Sequence, residues 1–398
     1  MNMSIHESDK HIIVEVRGNA GLITLNRAKA LNALSLSMIR KITAALLDWR
    51  AQAAIKCVAI RGMGKDAASP SGSSPFGAFC AGGDIRFFHQ AALAGNPELE
   101  DFFTEEYALN HLVHTYPKPT IAFMDGIVMG GGMGLAQGAS HRIVTERTKM
   151  AMPETGIGLF PDVGGGYFLS RCTGKAGEYL ALTGQVINGA QAVVYGLAGF
   201  SLQSESTFAL WESLAVTPFL NETEVDRHVQ AHYLNSMKFG TKAQEDAFEL
   251  HRRDFQETCE KLKPQIDKFF GLPTVKDMVQ ALEADPSDWA QQTAVTLRKR
   301  SPLMLHVALE QIRRARSMTL AEDLRMERDI VRHCFHTQHL NRSGTTSETV
   351  EGIRALAVDK DHKPCWNPAR IEDVTPEMVQ PFFNSPWPAG AHPLGGLV

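Results

Sequence analysis

Two acids and a glycine run between Met129 and Gly166 are the residues of this chain best suited to chemistry. Glu154 and Asp162 stand among apolar neighbours (Met150, Met152, Ile157, Leu159), where a carboxylate without a partner carries a desolvation penalty of several kcal/mol. Gly130, Gly131 and Gly132 have no side chain to pack and weaken any regular element they join, so something must approach that backbone closely. An apolar strand candidate, 120–124, precedes them, and a segment that suits a helix, 133–137, follows. A glycine turn feeding a helix aims unpaired N–H groups forward, an arrangement that suits an anion or an oxyanion and needs no side-chain nucleophile in the turn.

A second glycine turn, FCAGGDI from Phe79 to Ile85, lies between a strand candidate at 57–61 and an amphipathic segment. FCAGGDI and MGGGMGL in this order, with AMPETGIGLFPDVGGGYFL after them, resemble the crotonase, or enoyl-CoA hydratase/isomerase, superfamily. The resemblance implies an α/β fold with a ββα spiral core and an acyl-CoA substrate. It also implies an oxyanion hole built from the amides of Ala81 and Gly131. EEY at Glu105–Tyr107, SPLMLHVALEQI from Ser301 and EGIRALAVDKD from Glu351 extend the likeness from about Ile12 to Trp366. They narrow it to the branch that hydrolyses 3-hydroxyisobutyryl-CoA in valine catabolism. By that resemblance Glu154 is the catalytic carboxylate, and Asp162 joins it while holding the substrate's 3-hydroxyl. Glu106, in the EEY motif, contacts the substrate together with Gly131. Asn26–Ala33 (NRAKALNA) resembles the strand-end motif that seats the CoA nucleotide, which assigns Asn26, Lys29, Ala81, Gly82 and Asp84 to CoA. Ala28 departs from the usual proline of that motif.

Syn hydration of an enoyl thioester needs an acid and a base on one bond. The family's first hydratase glutamate falls at Gly134, whereas the second is kept as Glu154. Hydrolysis is therefore the expected reaction. Attack by Glu154 to give a mixed anhydride and deprotonation of a water by Glu154 remain open. The alternatives are an enoyl-CoA hydratase or isomerase and a non-catalytic acyl-CoA-binding protein.

With 398 residues and 44% hydrophobic content, the chain has material for a large core and more than one unit. A net charge of −4 with scattered Lys and Arg leaves no footprint for nucleic acid or an anionic membrane. The apolar run 120–139 is interrupted by Asp125 and glycines, a poor membrane span. The N-terminal MNMSIHESDKH lacks an apolar signal core or an arginine-rich face, so a cytoplasmic location is expected. Six cysteines without CxxC spacing fit a reduced compartment. His333, His336 and His339 read as a polar helix face rather than a metal site, and neither metal nor redox cofactor is expected. No GxSxG elbow or Walker loop occurs. A homo-oligomer through C-terminal helices and a helical half covering its own site are both open.

Segments 11–17 and 22–25 flank Gly18–Gly21 as a hairpin. Ser35 caps a helix with Met38, Ile42, Leu46 and Trp49 on one face. The Ser/Pro/Gly-rich segment 66–78 reads as an inserted loop. Strand and helix patterns then alternate: helix 98–116, strands 120–124 and 141–145, and a short strand near 149–152. From 202 onward long helical patterns dominate, at 205–216, 222–235, 243–270, 274–283, 285–299, 302–316 and 318–339. The expected organisation is a core over 1–201 and a helical C-terminal region over 202–398, with 341–350 as a polar loop and an irregular tail.

Overall fold

A computed structural model describes residues 10–64, 76–236 and 242–398. Most of the inserted segment 66–78 therefore lies outside the described residues, as does the N-terminal MNMSIHESD. The chain divides into two compact units that interleave along the sequence. The first comprises Met1–Gly83, Leu109–Met150 and Val186–Thr258, and the second comprises Asp84–Ala108, Ala151–Gln185 and Cys259–Val398. This corrects the expected division at residue 201. The apolar side chains after 202 first complete the sheet's core, and parts of the N-terminal half belong with the later helices.

In the first unit β1 (Ile12–Arg17) and β2 (Ala20–Leu25) form the expected hairpin, with Arg17 opposite Ala20. Helix α1 (Leu36–Ala51), capped by the Ser35 hydroxyl on the Met38 N–H, crosses to β3 (Cys57–Gly62), which lies parallel to β2. The chain then passes through α2 (Ile85–Ala94), in the second unit, and α3 (Glu98–His114), which belongs to the second unit as far as Ala108, to β4 (Thr120–Met124), parallel to β3. After β5 (Ile127–Met129), α4 (Gly131–Gln137) leads to β6 (His141–Val144), which is parallel to β4. Next come β7 (Lys149–Ala151) and, in the second unit, α5 (Gly165–Ser170) and α6 (Ala176–Thr183). The first unit closes with α7 (Gly189–Tyr195), β8 (Phe200–Ser201), α8 (Ser204–Val216), α9 (Glu222–Ser236) and α10 (Lys242–Glu257). The six-stranded sheet runs β1-β2-β3-β4-β6-β8 and is antiparallel only at the hairpin.

Parallel strands need cover on both faces. Ala20, Leu22, Cys57, Ala59, Ile121, Phe123 and Ile143 face α8, whose Leu210, Trp211 and Leu214 bury against them. On the opposite face Trp49 of α1 fills the space over Gly21, where a Cβ would stand 2.3 Å from the indole. The two glycine motifs follow the C-terminal ends of the adjacent parallel strands β3 and β4, where open α/β sheets place their ligands.

The second unit is helical. After Cys259 its longer helices are α11 (Lys263–Phe270), α12 (Val275–Ala284), α13 (Asp288–Lys299), α14 (Pro302–Ala315) and α15 (Leu320–Phe335). The single helix expected over 243–270 is interrupted by a π turn at Thr258–Leu262, just ahead of Pro264, which removes an N–H donor from the following turn. The expected loop 341–350 instead ends in α16 (Glu348–Ile353), because the Ser347 hydroxyl accepts from Val350 N–H and nucleates it. The tail holds only the short α17 (Pro376–Val379) and a 3₁₀ turn at Gln380–Phe383.

Candidate active site

The candidate residues of the first unit are backbone groups. Cys80 donates its N–H to Ile127 O at 3.0 Å and accepts from Met129 N–H at 2.9 Å, which stitches the FCAGGD turn to β5. A Cβ on Gly132 would lie 2.3 Å from Cys80 O, so only glycine permits this approach. Ala81, expected to supply an oxyanion amide, does not have one free: its N–H donates to Leu31 O at 3.0 Å. Gly82 N–H points at the Cys80 sulfur at 3.4 Å. Gly83 and Gly131, by contrast, have no acceptor for their N–H groups among the described residues. Gly131 is unsatisfied because it opens α4, and the first N–H groups of a helix have no intrahelical acceptor. The free pair is thus Gly83 with Gly131, and the hydrogen-bond count corrects the assignment of Ala81.

The second unit holds a set of buried acids. Glu106 on α3, Glu154 at the head of a 3₁₀ turn (Glu154–Ile157) and Asp162 are 2%, 5% and 5% exposed. Tyr107, fully buried, donates its hydroxyl to Asp162 Oδ2 at 2.8 Å. Glu106 Oε1 and Glu154 Oε2 are buried without a hydrogen-bond partner among the described residues. A native fold tolerates such groups when function requires them. Burial pushes Glu154 well above the usual carboxylate range, the Asp162 charge pushes it further, and Arg300 opposes the shift. Glu106 is raised well above that range by burial and by the charges of Asp162 and Glu154. Asp162 rises to about 6 through burial, with the Tyr107 hydrogen bond pulling the other way. Like charges in one dry site cannot all ionise, so Asp162 gives up its proton first and keeps one on its neighbours.

A pH profile tests this coupling. Activity that needs ionised Glu154 rises along an acid limb lying above the ordinary carboxylate range. Asp162→Asn removes the neighbouring charge, so the limb is expected to move toward lower pH. Measured kcat from about pH 4 to pH 9 reads the shift. A limb that stays in place would mean that it reports some other group.

C-terminal helices fix both acid-bearing turns. Ser301 N–H donates to Thr155 O at 3.0 Å, Thr349 Oγ1 to Gly158 O at 2.7 Å, and Thr155 Oγ1 to Leu182 O at 3.1 Å. The Ser301 hydroxyl caps α14 and donates to Glu348 Oε2 at 2.6 Å. This is what the SPLMLHVALEQI segment does for Glu154. Asp162 is held by Tyr107, and its turn by Gln311 on Pro161 O and by Glu327 on the Gly164 and Gly166 N–H groups. Tyr107 lies in the EEY motif and Gln311 in SPLMLHVALEQI, but neither is singled out there as a site residue, and no motif contains Glu327.

A family profile described as enoyl-CoA hydratase/isomerase matches residues 20–383. The chain belongs to the enoyl-CoA hydratase/isomerase family. Among curated relatives, the Xenopus laevis protein named "3-hydroxyisobutyryl-CoA hydrolase, mitochondrial" is 38% identical over 387 residues, covering 97% of this chain and 92% of that protein. The Rattus norvegicus protein of the same name is 37% identical over 385 residues, 97% of this chain and 91% of its own length. Among solved structures, a carnitinyl-CoA dehydratase from Mycobacterium thermoresistibile has a TM-score of 0.78 at 33% identity, covering 95% of this chain and 98% of that one. An enoyl-CoA hydratase from Rhodobacter sphaeroides 2.4.1 has a TM-score of 0.77 at 30% identity, covering 94% and 98%. The fold is the crotonase fold with a helical C-terminal region.

In this member of the enoyl-CoA hydratase/isomerase family α4 carries no carboxylate: Gly134 stands among Gly131, Gly132, Met133, Leu135, Ala136 and Gln137, all buried. Of the residues the resemblance assigned to CoA, Asn26 has its side-chain amide on Lys10 O at 2.9 Å, and Lys29 is exposed on a 3₁₀ turn. Gly82 accepts from Leu34 N–H at 2.8 Å, so with Ala81 it joins the NRAKALNA segment to the glycine turn. Asp84 caps α2 through the Phe87 N–H. His333 and His339 clip the tail through Asn384 O at 2.8 Å and Met378 O at 3.0 Å.

Proposed function

We propose that this chain is a hydrolase of 3-hydroxyisobutyryl-CoA, releasing 3-hydroxyisobutyrate and CoA as a step of valine catabolism. The observation that carries the reading is the carboxylate set. The α4 position needed for hydration is Gly134, while Glu154 and Asp162 are both kept, buried and placed on turns braced by other elements. The relatives' shared name supports the same substrate.

In this reading the Gly83 and Gly131 amides take the thioester oxygen as negative charge develops on it, each such donor contributing about 3 kcal/mol to the barrier reduction. Ionised Glu154 has two routes. It attacks the carbonyl carbon, expelling CoA as the thiolate and leaving an acyl–glutamate anhydride that water cleaves, or it takes a proton from a water that attacks instead. Both consume one water and return Glu154 unchanged. The Asp162 carboxylate, oriented by the Tyr107 hydroxyl on Oδ2, accepts from the substrate's 3-hydroxyl. Glu106, keeping its proton, lines the same acid cluster as a hydrogen-bond donor. CoA enters only as part of the substrate, and no step calls for a metal or redox group.

Thiol release from a panel of CoA esters tests this. The expected result is rapid release from 3-hydroxyisobutyryl-CoA and 3-hydroxypropionyl-CoA and far slower release from isobutyryl-CoA and acetyl-CoA. Equal rates across the panel would overturn the substrate assignment. A rate of hydration of crotonyl-CoA comparable with the best hydrolysis would favour the hydratase alternative, and tight binding without thiol release a non-catalytic binder.

A further inference from the structure

The turn that carries Asp162 is strained. Val163, a β-branched residue, sits at φ 59°, a left-handed conformation in which a branched Cβ crowds the backbone. Such a turn persists only where its surroundings over-determine it. Here they do, through two buried side chains of the C-terminal helices. Glu327 on α15, fully buried, accepts the Gly164 N–H on Oε2 at 2.7 Å and the Gly166 N–H on Oε1 at 2.8 Å. Gln311 on α14, also fully buried, donates its amide both to Glu327 Oε1 at 2.9 Å and to Pro161 O at 2.7 Å. One helical turn before Glu327, Asp323 accepts the Tyr167 N–H at 2.8 Å. The glycines of PDVGGG leave room for this. A Cβ on Gly166 would stand 2.2 Å from Asp323 Oδ1. The second glycine run thus differs from the first, because its amides are already taken, those of Gly164 and Gly166 by the Glu327 carboxylate and that of Gly165 by Asp162 O at 2.8 Å.

We propose that Glu327, braced by Gln311, is a positioning residue for substrate selection: by bridging the Gly164 and Gly166 amides it holds the Asp162–Val163 turn in the conformation that presents Asp162 to the substrate's hydroxyl. The inference rests on the reading of Asp162 given above. Glu327 touches neither substrate nor reacting atoms and acts only through the backbone it clamps.

The test is the ratio of kcat/KM for 3-hydroxyisobutyryl-CoA to that for isobutyryl-CoA. A loss of folded protein lowers both rates together and leaves the ratio unchanged. Glu327→Gln keeps the size but turns one oxygen into an amide nitrogen, which cannot accept the second N–H. The expected ratio falls at least about tenfold, and Gln311→Met, which removes one brace, gives a smaller fall in the same direction. An unchanged ratio in Glu327→Gln overturns the proposal. Should that variant not fold, an unchanged ratio in Gln311→Met does the same, and failure of both to fold assigns the pair to general scaffolding and overturns the selective role. Asp162→Ala measured in parallel separates the two ideas. If it collapses the ratio and the Glu327 and Gln311 variants do not, only this inference fails, and if it leaves the ratio intact the reading of Asp162 fails first.

Discussion

Glu154→Gln is expected to lower kcat on 3-hydroxyisobutyryl-CoA by three or more orders of magnitude, roughly 4 kcal/mol of barrier, with little change in binding of the CoA ester. The amide keeps the shape of the side chain but neither attacks a carbonyl nor takes a proton at this pH. The turn that carries it is tied through Thr155 and Gly158 to Ser301 and Thr349, so it should stay in place. Glu154 Oε2 is buried without a partner among the described residues, and replacing a poorly solvated carboxyl by a neutral amide removes a penalty. The melting temperature should therefore hold or rise while turnover disappears. A variant that kept a tenth of the activity would reduce Glu154 to a structural acid at the start of a 3₁₀ turn. Turnover in oxygen-18 water, followed by mass analysis of the peptide bearing Glu154, addresses the route. Label in its carboxylate supports the anhydride.

Asp162→Ala is expected to shrink the rate ratio between 3-hydroxyisobutyryl-CoA and isobutyryl-CoA at least tenfold, about 1.4 kcal/mol. A site built to bond a hydroxyl rejects the analogue lacking it because its own polar group is left unpaired, and removing that group removes the rejection. The Tyr107 hydroxyl then loses its acceptor in a fully buried place, which should lower stability by roughly 1–3 kcal/mol. Adding Tyr107→Phe should restore much of that stability but none of the selectivity, a split that urea unfolding and the two rates read independently. An unchanged ratio with reduced stability would make Asp162 a structural acceptor for Tyr107, and inactivity on both esters would place it in the bond-making step.

Much of the molecule was legible along the chain because it is written in local patterns. The hairpin at 12–25, the cap at Ser35, the strand at 120–124, and the helix starts at Ser301 and Thr319 follow from side chains within a few residues of one another. The acids were legible for a similar reason. Glu154 and Asp162 stand beside apolar residues, and a charge in such a context announces a desolvation problem before any fold is known. Glu106 was not distinguishable from a solvated helix acid, since its burial depends on what packs on α3.

Sequence by itself determined the two glycine turns, the family resemblance and the candidate carboxylates, because each depends on residue type at fixed spacing. Tertiary structure decided which amides are free. Ala81 is excluded by a carbonyl fifty residues earlier, Leu31 O, that no local pattern near FCAGGD could reveal. It also decided that α8 completes the sheet's core, so that the chain divides by interleaved segments and not at 201. Above all, it joined Tyr107, Gln311 and Glu327 to the Asp162 turn. Those bonds span separations at which the chain has no intrinsic preference, and they exist only because packing the helices' apolar faces brings the partners together at the same time as it removes the water that would otherwise satisfy them.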